Sequence, residues 1–115
     1  MSFTAPFRVI LRMEIQQGKG PEFEAVWLSV GRIIADQPAN LGQSLARATE
    51  EPDVYYVVTD WTDEPAFRSF ETSEAHVDHR RRLQPFRRAG TMTVTEVVHQ
   101  LPPTAGETAA SEAAA

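Results

Sequence analysis

Two histidines three residues apart, His76 and His79, follow an aromatic run of Trp61, Phe67 and Phe70. Imidazole exchanges its proton near neutral pH, so either ring could take a proton from a phenol or an acidic C–H bond. On a helix, this spacing puts both rings on one face. Opposite indole and phenyl rings they would border an apolar pocket for a flat aromatic molecule. Two histidines are also the beginning of a metal site. A third ligand is not in view, because Asp78 points elsewhere and His99 falls on another segment, so no metal is expected. A surface or helix-cap position is the plain alternative for each histidine. Of the two, His76 is preferred as general base, since it opens its helix nearer the pocket mouth.

The same stretch supplies the remaining candidates. Trp61 closes a strand, and an indole there meets the open side of a core. Trp27, Phe67, Phe70 and Phe86 could line one cavity with it, ordinary core packing being the alternative. Arg80, Arg81, Arg82, Arg87 and Arg88 form a dense basic run. Glu71, Glu74 and Asp78 precede it, which reads as a solvated helix face of acid–base pairs. One of these arginines, Arg80 or Arg81, could turn inward to hold an oxyanion. Asn40 and Gln43 open another strand, where their amides could orient a carbonyl or a dioxygen-derived anion; turn chemistry explains Asn40 equally well.

The elements that must position these groups are legible. Phe7 to Gln16 alternates, with Phe7, Val9, Leu11, Met13 and Ile15 on one face of a strand. Gly18-Lys19-Gly20 ends it, and Pro21 suits a first helical turn. Phe23, Val26, Trp27, Val30, Ile33 and Ile34 then recur at helical spacing, up to Pro38. Asn40–Thr49 is a weaker strand, Glu50-Glu51-Pro52-Asp53 a turn, and Val54–Trp61 a β-branched and aromatic strand. Tyr55 and Trp61 share its parity, so both should face the helices. Asp63 is expected to cap one helix and Ser73 a second, which Gly90 stops. Thr91–Leu101 alternates again. The β-α-β-β-α-β order is the ferredoxin-like split arrangement, an α+β fold. Its four-stranded antiparallel sheet carries helices on one face, and a second copy is expected to cover the other in a dimeric α+β barrel.

At 115 residues this is one domain, expected to span 1–101, with 102–115 as a disordered tail rich in Ala, Pro and Glu. About 100 folded residues bury little more than about 60% of their unfolded surface, so a large cavity within one subunit is hard to build. The net charge of −5 argues against nucleic acid as a partner. There is no cysteine, hence no thiolate chemistry. No long apolar run and no signal peptide are seen, so a soluble, cytoplasmic protein away from membranes is expected. No phosphate loop or dinucleotide fingerprint marks a tightly held nucleotide cofactor.

In FRVILRMEI, PEFEAVWLSV, PANLGQ and above all VVTDWTDEPAFRSFETSEAHVDH, the chain resembles the antibiotic biosynthesis monooxygenases over roughly residues 6–101. The resemblance implies a homodimeric ferredoxin-like oxygenase of aromatic polyketide biosynthesis. It would oxidise a polycyclic phenol or anthrone to a quinone with dioxygen, or cleave a ring of an angucycline-type intermediate. The family's Trp and His fall on Trp61 and His76. By the implied mechanism His76, with Tyr55, removes a proton, while Trp61, Asn40 and an arginine hold the developing anions. No cofactor would be tightly bound, although exchangeable reduced flavin from a partner reductase is compatible. A non-oxidative polyketide cyclase or aromatase and a non-catalytic aromatic-binding dimer are the competing expectations.

Overall fold

A computed structural model describes residues 6–104. The alternating segment forms strand β1, Phe7–Ile15, and its apolar parity is turned into the core, with Phe7, Val9, Met13 and Ile15 buried. Helix α1, Gly20–Ala35, follows, with Pro21 in its first turn and Phe23, Trp27, Val30 and Ile34 on its buried stripe. Strands β2, Asn40–Arg47, and β3, Val54–Trp61, form a hairpin turned at Asp53, the only non-glycine residue with positive φ (61°) among those described. Helices α2, Glu64–Glu71, and α3, Glu74–Leu83, are capped by Asp63 and Ser73 as their side-chain types require. Strand β4, Arg87–Glu96, closes the domain.

The four strands are antiparallel in the order β2-β3-β1-β4, with β1 paired to β3 on one side and to β4 on the other. This is the ferredoxin-like α+β fold, with its helices on one face. The opposite face is a lattice of ion pairs around half-buried Ile10, Tyr56 and Val58. Arg8 grips Asp60 through two bonds of 2.7 and 2.9 Å, Arg12 reaches Glu14 and Glu51, and Arg88 reaches Glu14.

Three local features depart from the sequence reading. The last helix does not run to Gly90. Pro85 lacks an N–H and its ring crowds the carbonyl four residues back, so α3 ends at Leu83 and a single 3-10 turn, Gln84–Phe86, leads straight into β4. Gly90 lies inside β4, opposite Met13. The strand also stops at Glu96 rather than Leu101, because Glu96 pairs with Phe7 at the start of β1; Val97 N–H makes one last bond to the Pro6 carbonyl. In β2 the register slips between Asn40 and Gly42, which frees Leu41 from the parity of Gln43 and Leu45 and leaves it exposed. Of the tail expected to be disordered, Pro102–Thr104 is irregular and exposed, and 105–115 lies outside the described residues.

Candidate active site

A cavity of about 120 Å³ lies between the helices and the sheet. Its floor is the inward parity of β1 and β3: Val9, Leu11, Met13, Val57, Thr59 and Trp61. Trp61 is 1% exposed, and its Nε1 donates to Thr59 Oγ1 at 2.9 Å. Phe70 stacks on the indole at 5.1 Å between centroids, and Phe67 tilts against it at 5.6 Å. The Asp63 cap, whose carboxylate accepts from Ala66 N–H at 2.8 Å, fixes the start of the helix that carries both phenyl rings.

Ser73 then orders the second wall. Its hydroxyl donates to the Phe70 carbonyl at 2.6 Å and accepts from His76 N–H at 3.3 Å, tying the end of α2 to the start of α3. His76 consequently meets Phe70 edge-on at 5.1 Å, and His79 stacks parallel to His76 at 6.2 Å, with 10° between the planes. The rings run without a break from Phe67 through Trp61, Phe70 and His76 to His79.

Both imidazoles are poised as acceptors. Burial lowers the pKa of His76, with the Arg80 charge adding to it and the Glu71 backbone opposing it. Burial likewise lowers His79, against the nearby Val30 backbone. Each has a buried Nδ1 with no hydrogen-bond partner among the described residues, and Trp27 Nε1 is in the same condition. A neutral imidazole with a free nitrogen can take a proton, and an unpaired indole N–H can donate to a carbonyl or oxyanion. Arg80 and Arg87 stand at the rim, from α3 and β4.

Seven of the residues singled out by sequence therefore line one cavity: Trp27, Trp61, Phe67, Phe70, His76, His79 and Arg80. Tyr55, Asn40, Gln43 and Phe86 do not. Tyr55 has the parity of Trp61 but stands six residues earlier on β3, about 20 Å along the strand. Its hydroxyl is held by Glu24, which also pairs with Arg47 at 2.8 Å, and its ring packs on Phe23. Burial and that carboxylate raise the phenol's pKa, the opposite of what a base requires. Asn40 spends its amide on the Asp60 and Gly42 carbonyls at the β2 bulge. Gln43 Nε2 donates to the Gly31 carbonyl at 2.7 Å, bracing α1 on the sheet. Phe86 packs on the core around Phe23 and Tyr55. Trp61 belongs to the site as a wall, but with its N–H given to Thr59 it has no donor left for an anion. Sequence reasoning missed Thr59, Met92 and Arg87. Thr59 was detectable from its parity with Trp61, whereas Arg87 was hidden inside a basic run. No group of three or more His, Asp or Glu side chains among the described residues is placed to hold a metal.

Fold and cavity define a ferredoxin-like domain with an aromatic-lined cavity between its helices and its sheet. Residues 6–82 match the antibiotic biosynthesis monooxygenase family, and the chain belongs to that family. It is 30% identical over 108 residues to protein SchA of Streptomyces halstedii, covering 94% of this chain and 28% of SchA, so it spans little more than a quarter of that relative. It is 31% identical over 78 residues to a mycobilin-producing haem oxygenase of Mycobacterium tuberculosis, covering 65% of this chain and 74% of that one. Among solved structures it resembles SnoaB of Streptomyces nogalater, a cofactor-independent oxygenase, with a TM-score of 0.76 and 22% identity over 86% of this chain and 99% of SnoaB. At that identity the likeness speaks for the fold. Family membership supports an oxygenase role. Among the described residues no helix is long and apolar enough to cross a membrane.

Proposed function

We propose that this protein oxidises a flat phenolic or anthrone-type polyketide with dioxygen, and that His76 is the base. The observation that carries the reading is the part-buried imidazole of His76, its Nδ1 without a partner among the described residues and its pKa lowered by burial, in an unbroken wall of aromatic rings. The substrate lies against Phe70 and Trp61, and His76 takes a proton from the carbon or oxygen to be oxidised. The resulting anion passes one electron to dioxygen, and the radical pair recombines to a substrate peroxide. The His76 proton returns to that peroxide. An anthrone methylene then loses water, so that one dioxygen gives one quinone carbonyl and one water. Trp27 Nε1–H is the free donor placed to hold developing negative charge, and the apolar lining keeps water out. His79, deeper and stacked on His76, completes the wall.

The cavity has room for on the order of ten waters, which matches about two to three fused rings. Its enclosed part is smaller than a whole flavin nucleotide or a porphyrin. This favours chemistry without a tightly bound cofactor, as named for SnoaB, over the haem chemistry of the mycobacterial relative. A reduced flavin delivered by a partner reductase, with ring cleavage as the outcome, is the second form of the reaction. The working unit is read as a homodimer packed through the outer sheet face, with 1–101 as the folded domain; a monomer by light scattering would remove that dimer.

Dioxygen uptake by the purified protein, with anthrones and angucycline-type phenols, tests the proposal. Uptake without flavin is expected, and His76→Ala is expected to lower it roughly a hundredfold. Uptake only with reduced flavin selects ring cleavage. A substrate colour change without uptake rejects an oxygenase in favour of a cyclase, and tight binding with no turnover rejects an enzyme. A Soret shift on haem titration at equal stoichiometry rejects the size argument.

A further inference from the structure

The rim of the cavity carries charge that the oxidation chemistry does not require. Of the ten arginines, all but Arg32, Arg80 and Arg87 hold a carboxylate among the described residues. Two of those three stand on the mouth of this one cavity, reaching it from different elements, with the amide of Gln84 also in the lining. The one carboxylate in the lining, Glu71, is already held by Arg68 at 3.1 Å. In a chain of net charge −5, the mouth thus keeps two positive charges that no carboxylate among the described residues answers.

Arg87 is also seated. A Cβ added to Gly90 would stand 2.9 Å from Nε and from Nη2 of Arg87, so the guanidinium lies across the bare backbone of that glycine. It is half-buried there, where a charge without a counter-ion is costly to keep. A guanidinium offers a planar fork of donors, and its best-matched acceptor is a carboxylate.

Resting on the reading of the cavity as an aromatic substrate site, we infer that Arg80 and Arg87 read an acidic group. The substrate is a fused aromatic bearing a carboxylate on the edge that stays at the mouth. Its rings enter toward Phe70 and Trp61, and the carboxylate remains outside against the two guanidinium groups. Such an anchor selects one end-on orientation, and so selects which ring position meets His76.

Fluorescence titration of the full chain with 2-naphthoate and with 2-naphthamide, the same ring without the charge, tests the inference. The carboxylate is expected to bind about tenfold more tightly, an advantage that shrinks as salt is added. Arg80→Gln with Arg87→Gln is expected to remove the advantage and leave amide binding in place. Gly90→Ala has only a flexible side-chain end to displace, and is expected to remove part of the advantage at unchanged melting temperature. Equal binding of the two probes by the wild type, or an advantage that survives in the double variant, overturns the inference. Amide binding without a carboxylate advantage leaves the aromatic site standing, whereas failure of both probes brings down both readings.

Discussion

The helix–sheet layer has two ends built from the same kinds of residue and finished differently. At one end Phe23 and Tyr55 pack at 5.0 Å, the Tyr55 hydroxyl meets Glu24, and Glu24 meets Arg47. The phenol, the carboxylate and the guanidinium there all have partners. At the other end Trp61, Phe67 and Phe70 pack just as closely, yet among the described residues His76 Nδ1 and His79 Nδ1 are buried unpaired, as is Trp27 Nε1 where the first cluster borders the cavity, and the rim arginines lack carboxylates. A core that serves only stability satisfies its polar groups. Aromatic content is therefore a poor guide to which end of this fold holds the candidate site. Unspent hydrogen-bonding capacity beside a cavity is the better one.

The largest effect is expected where the active end is also core. Trp61→Ala removes a fully buried indole and should cost about 3–5 kcal/mol, with aromatic binding lost as well. Trp61→Phe separates the two roles, keeping a ring for Phe70 and giving up only the bond to Thr59. If Trp61→Phe binds a fused aromatic as the wild type does, the indole is a wall and its N–H is not used, as its hydrogen bond implies. Calorimetry and the titration together decide this.

The unpaired imidazoles give the comparison a pH signature. Burial lowers both pKa values below 6.5, so the unfolded chain takes up protons before the folded one does. Stability therefore falls as pH drops from about 6.5, and goes on falling until the folded histidines protonate too. Glu14 and Glu24, held low by their partners, act in the same direction only below about 4.5. Between these limits the slope belongs to the histidines. Melting temperature should decline with acidification in that window, and His76→Gln with His79→Gln should flatten the decline. A wild-type curve flat from pH 6.5 to 4.5 would mean that the imidazoles are not buried neutral. With His76 as the proposed base, turnover should hold to a pH below 6.5 for the same reason, since only the neutral ring accepts a proton.

How much of this was legible depended on whether a residue's role follows from local period. β1, α1, β3 and the Asp63 and Ser73 caps were readable because alternation, helical spacing and cap chemistry act over a few residues. The aromatic wall followed from that, since strand and helix parity already turn Trp61, Phe67, Phe70, His76 and His79 inward. Tyr55 was misplaced because parity fixes the face of a strand and not the position along it. Asn40 was misplaced because a bulge in β2 turned its amide onto the backbone. Arg87 was lost in the run Arg80–Arg88, because which arginine finds a carboxylate is decided by tertiary neighbours. Asp78 serves Arg81 and Arg82, Glu14 serves Arg88, and no acid among the described residues pairs with Arg80 or Arg87.

The smallest expected effect tests the satisfied end. Tyr55→Phe removes the hydroxyl that Glu24 holds and keeps the ring against Phe23. Glu24 retains Arg47, with both side chains partly in water, so no charge is stranded. The loss should be about 1 kcal/mol of stability, with turnover unchanged. A tyrosine acting in proton transfer would instead leave stability alone and cut the rate, because the hydroxyl would then matter to the substrate more than to the fold. A steady-state rate measured beside a melting curve separates the outcomes. Equal rates place proton transfer wholly at the imidazole end; a large drop would mean the two ends are coupled through β3, and that satisfied polar groups are no guide to where chemistry is absent.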